Sequence, residues 1–393
     1  MFYVYYVLAV IFIIFWCSLW ILHLVAIFQA KVKFHRKIDP FHGIPYDGVS
    51  ILKPLKGLDA NLYHNLETFF TMQYPIFELL FCFEDGADSA LPLVNNLIEK
   101  YPDVDAKVFV GGSLVGVNPK INNMQPGYVA AKYNFVMISD SSLRMKEETL
   151  TDMVQLMDED VGIVHQLPFV CDKEGFAATL EKIYFGTAHA RVYLFADFMQ
   201  VNCHTGMSTL IRKRLLDDVG GLQAFGCYLA EDFFMGKSIM DRGYRTKVSS
   251  LPALQNPGGS SVKVFRERLK RWTKLRCAMA PHTIILEPLS ECLILGAFTA
   301  WAVYVAFMWD PIVFYLVHVL FWFLLDYILL SIIQNGSLPF SKLYFVIGWL
   351  YREINGPLIF LSAFWDPTIR WRSRVYRLQM GGIAEEISPK LKL

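Results

Sequence analysis

Three acidic positions and one basic-aromatic box carry the chemistry in this chain. Asp85 closes the run Phe77-Glu78-Leu79-Leu80-Phe81-Cys82-Phe83-Glu84, and Asp140 closes Tyr133-Asn134-Phe135-Val136-Met137-Ile138-Ser139. Apolar runs of this length read as strands. A carboxylate at the end of such a strand is delivered to the carboxyl edge of a parallel sheet, where open α/β sheets bind their ligands. The pair Glu231-Asp232 follows, and then Arg268-Leu269-Lys270-Arg271-Trp272. Acid, acid, acid, then a basic-aromatic box, beside apolar spans, suits the transfer of a sugar from a nucleoside diphosphate at a bilayer.

Each position has a chemical reading and a plainer one. Asp85, in Glu84-Asp85-Gly86, could contact a nucleotide base or ribose, or it could simply make the turn that Asp-Gly favours. Asp140, followed by Ser141-Ser142, could hold a divalent cation (Mg or Mn) against a diphosphate, because hard cations take oxygen ligands and Mg needs few protein carboxylates. Its alternative is a helix N-cap ahead of Lys146-Glu147-Glu148. Lys120, in Asn118-Pro119-Lys120-Ile121-Asn122-Asn123, suits a diphosphate or a polar surface loop. Asp232 precedes Phe233-Phe234-Met235. A carboxylate in partly apolar surroundings can serve as the base for an attacking hydroxyl, or it can favour a helix start through the macrodipole.

Arg268, Arg271 and Trp272 fall at i, i+3 and i+4, on one helical face. Two guanidiniums and an indole could neutralise a leaving diphosphate and pack on a ring, or the helix could lie on anionic headgroups. His189 and Cys203-His204 lack the spacing of a metal site. A substrate contact suits His189 better.

The elements that must position these residues follow from periodicity. From about Gly48 to Val170 strands and helices alternate. Strands are expected at 49–52 (stopped by Pro54 and Gly57), 77–83, 106–110, 135–139 and 162–167, with helices at 62–71, 89–101 and 147–157. This implies an α/β fold, with a mainly parallel, Rossmann-like sheet between helices. The chain is 54% hydrophobic and 15% aromatic, and the excess lies in its first thirty and last hundred or so residues. Net charge is only +1, which gives no sign of nucleic-acid binding. Seven cysteines with no C-x-x-C pair suit a reducing compartment rather than a disulfide framework. Nothing in the sequence signals an oligomeric state.

Phe2 to Ala30 is long and apolar enough to span a membrane as a retained anchor. Lys31, Lys33, Arg36 and Lys37 follow it, and the positive-inside rule puts that side in the cytosol. Leu289 to Met308 and Ile312 to Ile333 are further spans, joined at Asp310-Pro311. Leu343 to Trp365 is interrupted by Arg352-Glu353 and Asn355-Gly356-Pro357, so it is either re-entrant or a helix whose ion pair neutralises itself inside a bundle. The tail carries Arg370, Arg372, Arg374 and Arg377. The expected division is an anchor at 1–30, a basic linker at 31–47, a catalytic domain at 48–262, a basic-aromatic interfacial helix at 263–282, a membrane region at 283–366 and a cytosolic tail at 367–393.

The chain resembles the ceramide glucosyltransferases of glycosyltransferase family 21. The resemblance covers nearly the whole chain and rests on several segments together. They are Leu52-Lys53-Pro54-Leu55-Lys56-Gly57, Asn65-Leu66-Glu67-Thr68-Phe69-Phe70, Asn118 to Asn123, Gly175-Phe176-Ala177-Ala178-Thr179-Leu180-Glu181, Thr205-Gly206-Met207-Ser208, Arg271-Trp272-Thr273-Lys274-Leu275-Arg276, Glu287-Pro288 and Trp365-Asp366-Pro367-Thr368-Ile369.

The resemblance implies a GT-A catalytic domain and an inverting, metal-assisted transfer of glucose from UDP-glucose to ceramide on the cytosolic face of the Golgi membrane. Its signature falls on Asp85 and Asp140 for nucleotide and metal, Asp232 for the base, and Arg268, Arg271 and Trp272 for the donor. Lys53 and Lys120 join the donor-binding set, and His189 and Cys203 match positions near the acceptor or inhibitor site. Many wider relatives carry D-x-D at the second acid, where this chain has Ser142 in the third place. Two rivals remain: a processive polysaccharide synthase with the same order of acids, and a membrane scaffold with a degenerate transferase domain.

Overall fold

The computed structural model describes residues 2–38, 46–366, 368–371 and 374–387. Residues 39–45 of the expected linker, and residues 367, 372, 373 and 388–393 of the expected tail, lie outside these. The chain divides into two compact units. One comprises Met1–Val32, Asp172–Phe198 and Ser261–Arg370; the other comprises Lys33–Cys171, Met199–Ser260 and Trp371–Leu393.

The second unit is built on strands β1 (Val49–Leu55), β2 (Phe77–Phe83), β3 (Ala106–Val110), β4 (Phe135–Ser139), β5 (Leu143–Arg144), β6 (Val161–His165), β7 (Pro168–Val170), β8 (Ser208–Arg212), β9 (Arg245–Val248) and β10 (Ala253–Gln255). Seven of them form one sheet in the order β3-β2-β1-β4-β8-β6-β9. Its β3-β2-β1-β4 part is parallel, and β8 runs antiparallel to both β4 and β6. A small sheet, β5-β10-β7, adjoins the strand ends in sequence.

The expected strands and helices are present, though the strand expected at 162–167 ends at His165 and Pro119–Ala130 is a further helix. β1 continues through Pro54 to Leu55, paired along its length with β2. Its pairing with β4 covers only Val49 to Leu52, so the missing N–H of Pro54 falls where that edge carries no ladder. The sequence also gave no sign of β8, a short polar-apolar strand that makes the sheet mixed.

Both faces of the sheet are buried, which explains the unbroken apolar runs. Alternate residues Leu79, Phe81 and Phe83 of β2 and Phe135 and Met137 of β4 pack with Leu66, Phe69, Val94 and Met153 from the helices on one side. Leu80, Cys82, Val136 and Ile138 pack with Ile121, Met124, Leu215 and Ile239 on the other. Near the C-terminus, Arg374–Leu378 and Ala384–Ile387 form an antiparallel hairpin. The N–H of Ala384 donates to the Cys227 carbonyl at 3.0 Å, which ties the hairpin to the segment leading into Glu231.

The first unit is helical. Among the described residues, two single helices are long and apolar enough to cross a membrane: the one at the N-terminus, Phe2–Lys33, and Pro311–Gln334. The latter starts where expected. Asp310 Oδ1 accepts the N–H groups of Ile312 and Val313 at 2.9 Å each, and Pro311 takes the first helical position, where no N–H is needed. The stretch expected to span from Leu289 to Met308 holds the helix Cys292–Phe307, bent by 82° from Thr283–Leu289, and the pair together is long and apolar enough for one broken span or a re-entrant loop. The 16 residues of Cys292–Phe307 alone reach about 24 Å, short of a typical apolar core of about 30 Å. Lys342–Phe364 is one continuous helix through Arg352, Glu353 and Pro357. Arg352 and Glu353 are paired and buried there, as in the second of the two alternatives above.

Candidate active site

Within the sheet-containing unit, Asp140, Lys120, Glu231 and Asp232 come together. Asp140 follows β4, with its N–H donating to the Met207 carbonyl at 2.9 Å. The next helix begins only at Thr149, so Asp140 is not its cap. Beneath it lies Lys53 of β1, fully buried, with its Nζ 3.8 Å from the centre of the Phe69 ring. Lys53 donates to the Asp140 carbonyl at 2.7 Å and to Ser139 Oγ at 3.2 Å. Burial lowers its pKa to about 7, against the opposing pull of Asp140. Lys53 therefore props up the end of β4.

Asn118-Pro119-Lys120 is a helix start rather than a loop. Asn118 Oδ1 accepts the N–H of Lys120 at 2.8 Å and of Ile121 at 3.3 Å, and Pro119 opens the helix Pro119–Ala130. The cap aims Lys120 at the acids. Its Nζ lies 3.0 Å from Asp140 Oδ1 and 3.1 Å from Glu231 Oε1, and donates to the Gly206 carbonyl at 3.1 Å. Burial would lower the Lys120 pKa, but Asp140, Glu231 and Asp232 outweigh it and hold the ammonium well above its ordinary value.

Glu231 and Asp232 open the helix Glu231–Met240. Glu231 is buried and accepts from Asn118 Nδ2 at 2.9 Å. Asp232 is partly exposed, and both its oxygens are held by backbone N–H groups: Gly206 to Oδ2 at 2.6 Å and Phe233 to Oδ1 at 2.8 Å. Burial pushes both carboxyls up, while Lys120 pulls both down; for Asp232 the two N–H donors also lower it and Asp140 raises it. The net direction is upward for both. A raised carboxylate, fixed in orientation and next to a cation, is equipped to take a proton.

Asp85 is exposed just past β2, and its Oδ1 accepts the Ala87 N–H at 2.9 Å. It makes the turn expected of Asp-Gly and stands at the same sheet edge, without joining the Lys120 cluster. Cys203 is half-buried in the loop that carries His204 and Gly206. His204 is buried with its ring 5.6 Å from that of His165, and Asn202 Nδ2 donates to the Phe233 carbonyl at 2.7 Å, which moors the loop to the start of the Asp232 helix.

Sequence reasoning missed Asn118 and Gly206. Both lay in motifs it had singled out, and the signals were a cap residue before Pro and a glycine. A Cβ on Gly206 would stand 2.9 Å from the Asp232 Cβ and 3.4 Å from Lys120 Nζ.

In the helical unit, Arg268 and Trp272 share a face of the helix Val262–Met279, with the Arg268 guanidinium 4.6 Å from the Trp272 ring and 5.5 Å from that of Phe185. Arg271 is half-buried on the same helix. His189 ends the π-helix Phe185–His189 and stacks on Trp272 at 6.3 Å. Burial lowers its pKa to about 3, reinforced by Arg276 and Arg268, so the imidazole is neutral. Its Nε2 is buried and has no hydrogen-bond partner.

Among the described residues, no three carboxylate, imidazole or thiol side chains form a closed cation cage. Asp140 fits a more open arrangement. Its side chain is 35% exposed and only Oδ1 meets Lys120, which leaves an oxygen for a cation whose other ligands are diphosphate oxygens.

A family model, Glycosyl transferase family 21, matches residues 18–384. Ceramide glucosyltransferase 3 of Caenorhabditis elegans is 44% identical over 377 residues, covering 95% of this chain and 82% of that protein. Ceramide glucosyltransferase 1 of the same organism is 42% identical, covering 94% and 79%. The ceramide glucosyltransferase of Komagataella phaffii is 27% identical over 97% of this chain and 92% of its own. Among solved structures, a mannosyltransferase from Pyrobaculum calidifontis in complex with GDP-Man and Mn2+ has a TM-score of 0.52 at 16% identity, covering 91% of this chain and 99% of that one. The fold is GT-A, and the chain is a glycosyltransferase that belongs to family 21, together with the ceramide glucosyltransferases.

Proposed function

We propose that this enzyme transfers glucose from UDP-glucose to the primary hydroxyl of ceramide, giving β-glucosylceramide in a single inverting displacement. The observation that carries the reading is Asp232, held by two backbone N–H donors, with its pKa raised beside Lys120 and Asp140. The names of the Caenorhabditis elegans relatives support the sugar and the acceptor.

Asp232 takes the proton of the primary hydroxyl. That oxygen bonds to the anomeric carbon as the bond from carbon to the β-phosphate oxygen breaks, and UDP departs with the electron pair. A divalent cation, Mg or Mn, held by Asp140 would supply positive charge for the departing diphosphate. Lys120, Arg268 and Arg271 share that electrostatic work, Trp272 packs on the donor, Asp85 meets the nucleoside, and Lys53 holds Asp140 in place. His189 and Cys203 lie on the acceptor side. Lys31 and Lys33 at the end of the first apolar helix, with Arg36 and Lys37 after it, favour a cytosolic catalytic domain, residues 48–262, on a multi-pass Golgi membrane protein.

The test is transfer of radiolabelled glucose from UDP-glucose to short-chain ceramide by purified protein, with Asp232→Asn in parallel. The expected result is labelled β-glucosylceramide from the wild type, and a loss of at least about 1,000-fold in kcat for the variant with UDP-glucose binding retained. Substantial activity in Asp232→Asn would sink the assignment of the base. A polymeric product would replace ceramide with a growing glycan.

A further inference from the structure

Side-chain contacts within the helical unit give each apolar helix its direction. Trp16 Nε1 donates to His318 Nδ1 at 3.0 Å, and one turn further on the Trp20 and Trp322 rings lie 5.7 Å apart. Phe2–Lys33 and Pro311–Gln334 therefore run parallel, and Gln334 ends about level with Lys33. Cys292–Phe307 runs the other way. Cys292 Sγ is 3.7 Å from His318 Nε2, while Phe298 stacks on Phe12 at 4.9 Å and Trp301 meets Tyr5 at 6.5 Å. The bent pair Thr283–Leu289 and Cys292–Phe307 thus carries the chain away from the Lys33 side as one broken span, and Pro311–Gln334 carries it back.

The C-terminal hairpin fixes what happens next. The sheet-containing unit takes over the chain at Lys33 and includes the hairpin. Ala384 N–H donates to the Cys227 carbonyl at 3.0 Å, Tyr228 is bridged to Ile383, and Arg374 Nη2 lies 3.8 Å from Glu84 Oε1. Gln334 and the hairpin are therefore on the same side of the membrane, and the chain between them crosses an even number of times. Among the described residues that stretch holds one helix, Lys342–Phe364, so this helix does not cross.

Its length alone would mislead, since 23 residues reach about 34 Å, enough to span. Its faces agree with the count of crossings. Phe345, Trp349, Arg352 and Glu353 are buried against the unit. Phe345 packs on Phe323 and Tyr327 at 5.1 Å each, and Trp349 and Arg352 both donate to Asp326 Oδ2 at 2.8 Å. Residues two turns apart on one helix thus meet a single turn, Phe323 to Tyr327, of the other, so the helices cross there rather than run side by side. The opposite face carries Leu343, Ile347, Leu350, Ile354, Leu358 and Leu361, spaced by three or four residues and each between 41% and 66% exposed. An unbroken apolar stripe of this length is not left to water.

We propose that Lys342–Phe364 lies in the plane of the leaflet on the Lys33 side, with the stripe from Leu343 to Leu361 set among phospholipid acyl chains. The stripe belongs to the unit whose other helices cross the bilayer, and neither end of the helix leaves that side. Exposed Lys342 and Trp365 stand at its two ends, residue types suited to headgroup depth. Arg352 and Glu353 turn inward to the protein, so the helix brings no charge into the acyl layer.

The experiment uses the full-length protein in phosphatidylcholine nanodiscs. A fluorescent amino acid is introduced by amber suppression at Leu343, Leu350 or Leu361, and at Ile14 as a spanning reference. Quenching is compared between lipids that carry a nitroxide near the headgroup and lipids that carry it near the chain end. The shallow quencher should exceed the deep one by about twofold or more at all three positions of the stripe, with the reverse at Ile14. Deep quenching at Leu350 with shallow quenching at Leu343 and Leu361 would describe a spanning helix and overturn the proposal. Protection from both quenchers at all three would put a second protein copy or another partner on the stripe and overturn it as well. A second readout needs no substitution in the helix. An Asn-Gly-Thr acceptor fused through a flexible spacer after Leu393 should stay unglycosylated in microsomes, while the same acceptor fused ahead of Met1 is glycosylated. A glycosylated C-terminal acceptor would mean an odd number of crossings after Lys33, and the in-plane helix would be wrong.

Discussion

The backbone N–H of Gly206 donates to Oδ2 of Asp232 at 2.6 Å, and a Cβ at Gly206 would press within 2.9 Å of the Asp232 Cβ. The contact sets the carboxylate's direction and forbids a side chain opposite it. Gly206→Ala is expected to displace Asp232 and lower kcat about 100-fold, since misplacement of a reacting group by an ångström costs on that order. The KM for UDP-glucose should change much less. Steady-state kinetics with both substrates varied would check this, and a variant with wild-type kcat would show that the approach is not limiting.

Lys120 should govern the pH dependence. Its positive charge favours the ionised form of Asp232 and so opposes the burial that raises the Asp232 pKa. Removing that charge in Lys120→Met raises this pKa further. The base must be ionised to act, so the acid limb of the kcat profile is expected to move to higher pH, with kcat near pH 7 down by about tenfold or more. Lys120→Arg, which keeps the charge, should leave the limb closer to its wild-type position. A limb that stays put or moves to lower pH in Lys120→Met would contradict this electrostatic account.

The sheet was largely legible because its chemistry is local. β2 and β4 are apolar on both faces, and that shows in sequence as an unbroken run ending in Asp85 or Asp140. β8 was not legible, since Ser208-Thr209-Leu210-Ile211-Arg212 is short and its place between β4 and β6 depends on long-range pairing. Pro54 read as a stop because sequence cannot show that one edge of β1 is bare at that point. In the site, the types of the acids were visible but their meeting point was not. Lys120 joins residues that are 20, 86 and 111 positions away in Asp140, Gly206 and Glu231, and only the folded chain brings these together. Asn118 looked like loop polarity until its cap and its bond to Glu231 appeared together.

Lys53 offers a separation of support from contact. Its ammonium is spent on the Asp140 carbonyl and Ser139 Oγ beneath the sheet edge. Lys53→Met keeps much of the stem packing over Phe69 but leaves those oxygens without their donor. The expected cost is about 1–3 kcal/mol of stability, read as a lower Tm of the detergent-solubilised protein. The KM for UDP-glucose should rise as Asp140 loses its prop. Lys53→Arg should not rescue it, because the larger planar head does not fit a fully buried site. An unchanged Tm with a large loss of donor binding would instead make Lys53 a direct donor ligand.

The C-terminal hairpin reaches the site through the backbone. Ala384 N–H donates to the Cys227 carbonyl at 3.0 Å, and the neighbouring Tyr228 carbonyl accepts from Asn118 Nδ2 at 2.7 Å, the same amide nitrogen that holds Glu231. Ala384→Pro deletes the first of these donors, since proline has no N–H, and should free the segment that leads into Glu231-Asp232. The expected result is a fall in kcat of about tenfold with only a modest drop in Tm, because the hairpin lies outside the sheet core. Met380→Ala, at an exposed position of the hairpin turn, should behave like wild type in both measurements. If Ala384→Pro retained full kcat, the hairpin would be a passive cover; if Met380→Ala lost as much, the effect would come from the hairpin's own folding rather than from its bond to Cys227.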